Sequence, residues 1–396
     1  MKRVLVIIDG LGDEPLDELE GKTPLEAAFI PNIHYIANRG RIGRIATAFP
    51  GLPVESLVCI MGLLGYDPDR YYPCGRASFE ALAKGIPLAD GDLVLRCNCI
   101  TVDQEKDIIR DFTAGMISDS DARKVISQIA LPHQNWELFP GQSYRNTLII
   151  RNAGIDVSTL RCFAPHMHIG EAIQGILPTS STPATQPLAH EIADFLLATR
   201  QQIAAMELPA ACMANMLWVW SASSKPVWPS FKERTGLNGA FVGGLDFLQG
   251  IAMAAKIHFD IIPGATGYID TDYAAKAACT IAYLQEYDFV LTHVNATDEE
   301  AHMHNYLGKM DAIEKVDRLI VGPVLQALEK QYGDDFRIVI CGDHTTRCSD
   351  GKHVGDPVPY ALYGTGIVPG HARQFAEKYC CHHQAEPSLS FLQALL

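Results

Sequence analysis

Hydrophobic positions along this chain gather into short unbroken runs, spaced by longer stretches of helical periodicity. Residues 4–8 (Val-Leu-Val-Ile-Ile), 289–294 (Phe-Val-Leu-Thr-His-Val) and 338–341 (Ile-Val-Ile-Cys) are rich in β-branched side chains and lack the alternation of a half-solvated strand. Each reads as a strand buried on both faces, as in the middle of a parallel sheet. Thr23 caps and Pro24 opens a helical stretch, residues 31–40 form a helix closed by Gly40, and an apolar helix runs from Ser56 towards Gly65. Residues 239–254 read as strand then helix, 259–267 as strand and turn, and Asp270-Thr-Asp272 opens a further helix. This alternation predicts an α/β fold, a mostly parallel sheet with helices on both faces.

The rhythm changes between residues 88 and 212. Residues 92–98 and 144–150 read as strands, 119–129 as a helix, and 178–187 as a linker rich in Pro, Ser and Thr. The βα alternation resumes at 215–220. The expectation is a core made of residues 1–87 and 213–396, with a smaller α+β domain, 88–212, inserted into it.

The three apolar runs end alike. The first meets Asp9-Gly10, the second leads into Asp298-Glu-Glu-Ala-His302, and the third stops at Asp343-His344, with His353 soon after. One such ending is better explained as a turn or helix cap. Three together, at the carboxyl ends of strands where open α/β sheets bind ligands, point to metal chemistry. Asp298 and His302 are four apart and share a face if a helix begins there. The six candidates, Asp9, Asp298, His302, Asp343, His344 and His353, exceed the three or four protein ligands of one tetrahedral ion, so the count favours two metals.

Composition narrows the function. With 48% hydrophobic and 20% charged residues, the sequence describes an ordinary globular protein of two domains, and no apolar run reaches membrane-spanning length. The net charge of −14 speaks against a nucleic-acid partner, which needs a basic face. It leaves room for a small anionic substrate, because cations and a few arginines reverse the local field. Eleven scattered cysteines without scaffold spacing suit a reducing cytoplasm. Cys380-Cys-His-His383 lacks a second ligand pair at finger spacing and reads as surface. Residues 1–8 read as a first strand, since Asp9 cuts the apolar part too short for a leader.

Ser56 stands at a loop-to-helix junction, where free N–H groups favour a phosphate; a plain cap explains the position equally well. In the inserted stretch, Arg96 and Arg145 lie inside apolar runs, where an unpaired guanidinium is costly.

Asp9, Ser56, Asp298-x-x-x-His302, Asp343-His344 and His353, in this order, resemble the alkaline phosphatase superfamily. Within it, the chain is similar to the cofactor-independent phosphoglycerate mutases of archaeal type. That likeness extends through Lys22-Thr-Pro-Leu-Glu-Ala-Ala, Leu64-Gly-Tyr-Asp-Pro68, Gly75-Arg-Ala-Ser-Phe-Glu-Ala81, Leu95-Arg-Cys-Asn98, Ser143-Tyr-Arg145, Pro263-Gly-Ala-Thr-Gly-Tyr268 and Asp356-Pro-Val-Pro359. The resemblance implies an alkaline-phosphatase-like sandwich and a phosphate-accepting Ser56. It implies one divalent ion on Asp9, Ser56, Asp343 and His344, and a second on Asp298, His302 and His353, with manganese, zinc or magnesium as the metal. It also implies a small phosphorylated carboxylate as substrate, bound by Arg96, Arg110, Arg145 and His166. The chain departs from the family pattern at Val54-Glu-Ser-Leu57, at Met303, and at Trp220-Ser-Ala-Ser223. These departures keep open another phosphotransferase or phosphatase activity on the same scaffold, of the homoserine-kinase-like branch, and a metal-binding homologue without turnover.

Overall fold

The computed structural model describes residues 1–370 and 372–396. The chain divides into two compact units, a core of Met1–Tyr72 with Trp228–Leu396 and an inserted unit, Pro73–Val227. In chain order the main strands are β1 (Lys2–Ile8) and β2 (Arg41–Ala46) in the core. The insert contributes β3 (Leu93–Asp103), β4 (Ile108–Asp111), β5 (Trp136–Phe139), β6 (Arg145–Ile150) and β7 (Met216–Ser224). The core then resumes with β8 (Gly239–Val242), β9 (His258–Phe259), β10 (Phe289–Val294), β11 (Phe336–Cys341), β12 (Val358–Gly364) and β13 (Ala385–Pro387).

The core sheet has eight strands in the order β9-β8-β10-β1-β11-β12-β2-β13, and only β12 runs against the others. The α/β class with a mostly parallel sheet is thus what the chain adopts. β1 sits between β10 and β11, parallel to both, with Ile8 level with Val294 and Ile7 level with Cys341. All six residues of β10 are buried, as are the last five of β1. Val4, Val6, Ile8, Val290, Val294, Ile338 and Ile340 share one hydrophobic cluster with the helices Pro31–Arg39, Tyr273–Glu286 and Tyr306–Val316. The side chains alternating with them, Leu5, Ile7, Leu291, Val339 and Cys341, are equally buried on the other face. Helices Asp246–Ala255 and Ser388–Leu395 pack on that side, in contact with the helix Ser56–Leu63.

The insert is organised around β3, which pairs antiparallel with β6, β7 and β4, while β5 extends the sheet beyond β6. It is larger than the pattern at 88–212 implied. Ala77 and Ala81 of the helix Ala77–Ala83 pack with Ile86 onto Val94 and Ile149, so that helix belongs to the insert. Of residues 215–220, read as the return of the core, 216–220 lie in β7 and pair along β3 instead. The expected linker at 178–187 contains the short strand Thr179–Ser180, paired with Leu160–Arg161, and the start of the helix Gln186–Ala204.

Candidate active site

Because β1, β10 and β11 are adjacent, parallel and in register, their carboxyl ends lie along one edge. Asp9 follows β1 directly, Asp343 lies two residues past β11, and the helix Ala296–His302 begins just beyond β10. In that helix His302 Nε2 lies 3.2 Å from Asp298 Oδ2, the shared face that an i,i+4 spacing implies. His353 Nε2 is 3.3 Å from Asp298 Oδ1 and 3.0 Å from His302 Nε2. On the deeper side, His344 Nε2 is 3.2 Å from Asp9 Oδ1 and 3.6 Å from Asp343 Oδ2. Ser56, first residue of its helix, donates from Oγ to the Asp9 carboxylate at 3.2 Å and lies 3.2 Å from His344 Nε2. The seven residues expected to form the centre therefore meet.

Their environment is graded. Asp9, Asp343 and His344 are fully buried, Ser56 is half-buried, and the His302 side chain is 40% exposed. Burial and the nearby charges of Asp343 and Asp298 drive the Asp9 carboxyl well above its ordinary pKa. Asp298 is buried too, yet hydrogen bonds from His302 and His353 hold it well below. Burial lowers the pKa of His344.

The donor atoms suit a divalent cation. Among the described residues two ligand groups have donor atoms within 4.8 Å of one another: Asp9, Asp343 and His344, and Asp298, His344 and His353. Asp343 Oδ2 is buried without a hydrogen-bond partner. Three carboxylates clustered among hydroxyls, imidazoles and backbone N–H groups leave a local negative charge that a cation neutralises. The imidazoles are oriented for this. His302 Nδ1 faces Gly351 O at 2.7 Å and His353 Nδ1 faces Val54 O at 2.8 Å, so each Nδ1 donates to a carbonyl and each Nε2, turned to Asp298, is the atom that would meet a cation in place of that contact.

Glu55 would repel a phosphate if it pointed at Ser56. Its Oε1 instead accepts from the Tyr72 hydroxyl at 3.1 Å, which draws the carboxylate aside. His293 is a member of the site that the sequence pattern did not single out. It is fully buried in β10, with Nε2 3.3 Å from Asp9 Oδ2 but off the hydrogen-bond line, and neither ring nitrogen has a partner. Burial pushes its pKa down to about 4. The only signal in the sequence was a histidine inside an otherwise apolar strand.

The insert carries a separate cluster. Arg96 lies directly across β3–β7 from Trp220, its guanidinium 4.1 Å over the indole ring, and Trp220 Nε1 donates to Asn98 Oδ1 at 3.0 Å. Glu80 Oε2 is 3.0 Å from Arg96 Nε, while Nη1 of the buried Arg96 has no hydrogen-bond partner. Burial pushes the Arg96 pKa down to about 10, with Arg76 and Arg145 contributing. His166 stands 5.1 Å from the Trp220 ring, and Arg145 packs over Tyr144. Arg110 is exposed near Asp103, and Arg76, not foreseen, packs over the Trp220 ring. At the other end of the chain, Cys380 is buried whereas Cys381, His382 and His383 are exposed, and none belongs to a metal-capable group among the described residues.

A family profile described as 2,3-bisphosphoglycerate-independent phosphoglycerate mutase matches residues 37–208. The chain is 37% identical to 2,3-bisphosphoglycerate-independent phosphoglycerate mutase 2 of Methanothermobacter thermautotrophicus, covering 95% of this chain and 92% of that one. It is also 37% identical to a Methanosarcina barkeri enzyme of the same name, over 92% and 91%. Among solved structures it resembles a Pyrococcus horikoshii protein with TM-score 0.82 and 26% identity, covering 100% of this chain and 97% of that one. It also resembles the cofactor-independent phosphoglycerate mutase of Thermoplasma acidophilum, with TM-score 0.67 and 28% identity over 100% and 99%.

Proposed function

The chain belongs to the 2,3-bisphosphoglycerate-independent phosphoglycerate mutase family, and from that premise we propose that it interconverts 3-phosphoglycerate and 2-phosphoglycerate through a phosphoserine at Ser56. The observation that carries this reading is the half-buried Ser56 Oγ, 3.2 Å from both the Asp9 carboxylate and His344 Nε2 at the start of a helix. Asp9, Ser56, Asp343 and His344 would hold one divalent ion and Asp298, His302 and His353 another, with manganese, zinc or magnesium as the metal. When bound, such ions lower the pKa of a hydroxyl and neutralise charge on a phosphoryl group.

The protein's own contribution follows from its side chains. Asp9 accepts the Ser56 hydroxyl and orients its oxygen. Ser56 Oγ attacks phosphorus as it loses its proton, the P–O bond to glycerate breaks and the leaving oxygen takes up a proton; the other hydroxyl of the same glycerate then loses its proton, attacks the phosphoserine, and Ser56 leaves as the reprotonated hydroxyl. Arg96, Arg145 and His166 are assigned to the substrate's anionic groups, since guanidinium binds carboxylate or phosphate bidentately. Arg110 keeps that assignment only by resemblance. All eleven cysteines are free thiols, which supports a reducing cytoplasm, and no helix among the described residues is long and apolar enough to cross a membrane.

The test is to supply metal-loaded protein with phosphorus-labelled 3-phosphoglycerate and unlabelled glycerate. Labelled 2-phosphoglycerate, unlabelled glycerate left unphosphorylated, and a phosphate trapped on Ser56 are expected. Free phosphate as the dominant product, with no 2-phosphoglycerate, would leave a phosphatase in place of a mutase.

A further inference from the structure

The two ligand groups are joined behind the donor atoms by one side chain, Thr346. Its hydroxyl donates to Asp298 Oδ1 at 2.5 Å and lies 3.1 Å from His344 Nδ1. A hydroxyl has a single proton, and the Asp298 carboxylate takes it. The contact with His344 must then run from the imidazole N–H to Oγ1. This fixes the His344 tautomer and leaves the Nε2 lone pair facing Asp9 and Ser56. Thr346 is fully buried, so no water competes for either bond.

The rest of the fold is arranged to keep this hydroxyl in place. Lys309, buried in the core, donates from Nζ to Thr346 O at 2.7 Å, Gly12 O at 2.9 Å and Asp13 Oδ2 at 2.8 Å. Thr346 N donates to Gly12 O at 3.2 Å, closing the loop after β1 onto the loop after β11. Gly10, at φ +61°, leaves the space that the hydroxyl uses. A Cβ there would lie 2.6 Å from Thr346 Oγ1 and 2.8 Å from Asp298 Oδ1.

We propose that Thr346 is a positioning residue that ties the two halves of the metal centre together, its one hydroxyl accepting the Nδ1–H of His344 and donating to Asp298. The proposal rests on the two-ion reading above. It assigns to one side chain an effect on both ions, although Thr346 itself lies behind the ligands.

The experiment uses the full-length chain and manganese(II) alone, followed by calorimetric titration and by competition with a chelator. Thr346→Val keeps the shape and removes the hydroxyl. It is expected to keep the metal-free circular dichroism of the wild type yet bind both ions about 10–100-fold more weakly. Thr346→Ser restores the hydroxyl and is expected within about three-fold of wild type; the cobalt(II) form of the valine variant should show an altered ligand-field spectrum that serine returns to normal. Should the valine variant not fold, Thr346→Ala carries the same comparison with serine. Wild-type affinity for both ions in the hydroxyl-less variant, or a loss confined to one ion, overturns the proposal. Failure of the wild type itself to bind manganese would instead overturn the metal reading on which it rests.

Discussion

The core and the insert build their chemistry in opposite ways. The core takes Asp9, Asp298, Asp343 and His344 from just past the ends of β1, β10 and β11, where the backbone leaves the sheet. The insert takes its cationic and aromatic groups from mid-strand, Arg96 and Asn98 on β3 against Trp220 on β7. Strand ends can gather acidic and imidazole groups because only the edge of the sheet is disturbed. A mid-strand arginine must be supported by its cross-strand neighbour and a carboxylate, here Trp220 and Glu80. On the function proposed above, the core would hold the ions and the reacting serine, and the insert's cations would recognise an anion.

The sharpest way to break this division is at Ser56. Ser56→Ala should leave the fold intact and lower turnover on the order of 10⁴-fold or more, with no phosphate trapped by mass spectrometry. Turnover close to wild type would reduce Ser56 to a cap. At the same edge, His302→Ala should lose at least one bound ion, read by elemental analysis of metal-loaded protein. Unchanged metal content would remove His302 from the ligand set.

Lys309→Met tests whether the strand-end loops need their buried tie. It leaves Asp13 buried without its cation and should cost about 3–5 kcal/mol in urea unfolding. A cost under about 1 kcal/mol would show that the loops hold without it.

In the insert, Arg96→Met should raise KM roughly 10–100-fold while metal content stays at the wild-type level, as expected for a lost charge-assisted contact. It should also raise the ratio of phosphate released to product isomerised. A fall in metal content would contradict the division between the two regions.

The smallest effect concerns Glu377, whose carboxylate accepts from Thr23 Oγ1 and from Asp13 N, and which burial pushes up to about 7. A carboxyl raised from 4.5 in the folded state contributes stability that is complete below pH 4.5 and lost as pH rises through about 7. Glu377→Gln, which does not titrate, should gain on the wild type in melting temperature between pH 5 and pH 8. A difference independent of pH would show the carboxyl to be ionised throughout.

Much of the core was legible in the sequence because a strand buried on both faces writes itself as a continuous apolar run, and an aspartate directly after such a run marks its end. Residues 4–8, 289–294 and 338–341 carry that mark, and Asp298 and His302 carry a helical spacing, so the ligand types and their common edge could be read in advance. The insert was less legible. Met216–Ser224 is as apolar as a core strand, and its pairing with β3 depends on residues more than a hundred positions away. Local pattern holds no information about such a partner. Arg110 and Arg145 look alike in sequence, yet one is exposed near Asp103 and the other lies by Arg96.

What the sequence determined by itself was therefore the class of fold, the strands at its centre and the chemical types at their ends, all set by local periodicity and by the cost of burying charge. Only the tertiary structure decided that Tyr72 draws Glu55 aside, that His293 stands unpartnered beside Asp9, and that one hydroxyl at Thr346 reaches both Asp298 and His344. Each depends on a distance between residues of different elements, which the packing of those elements sets and no residue's own preference determines.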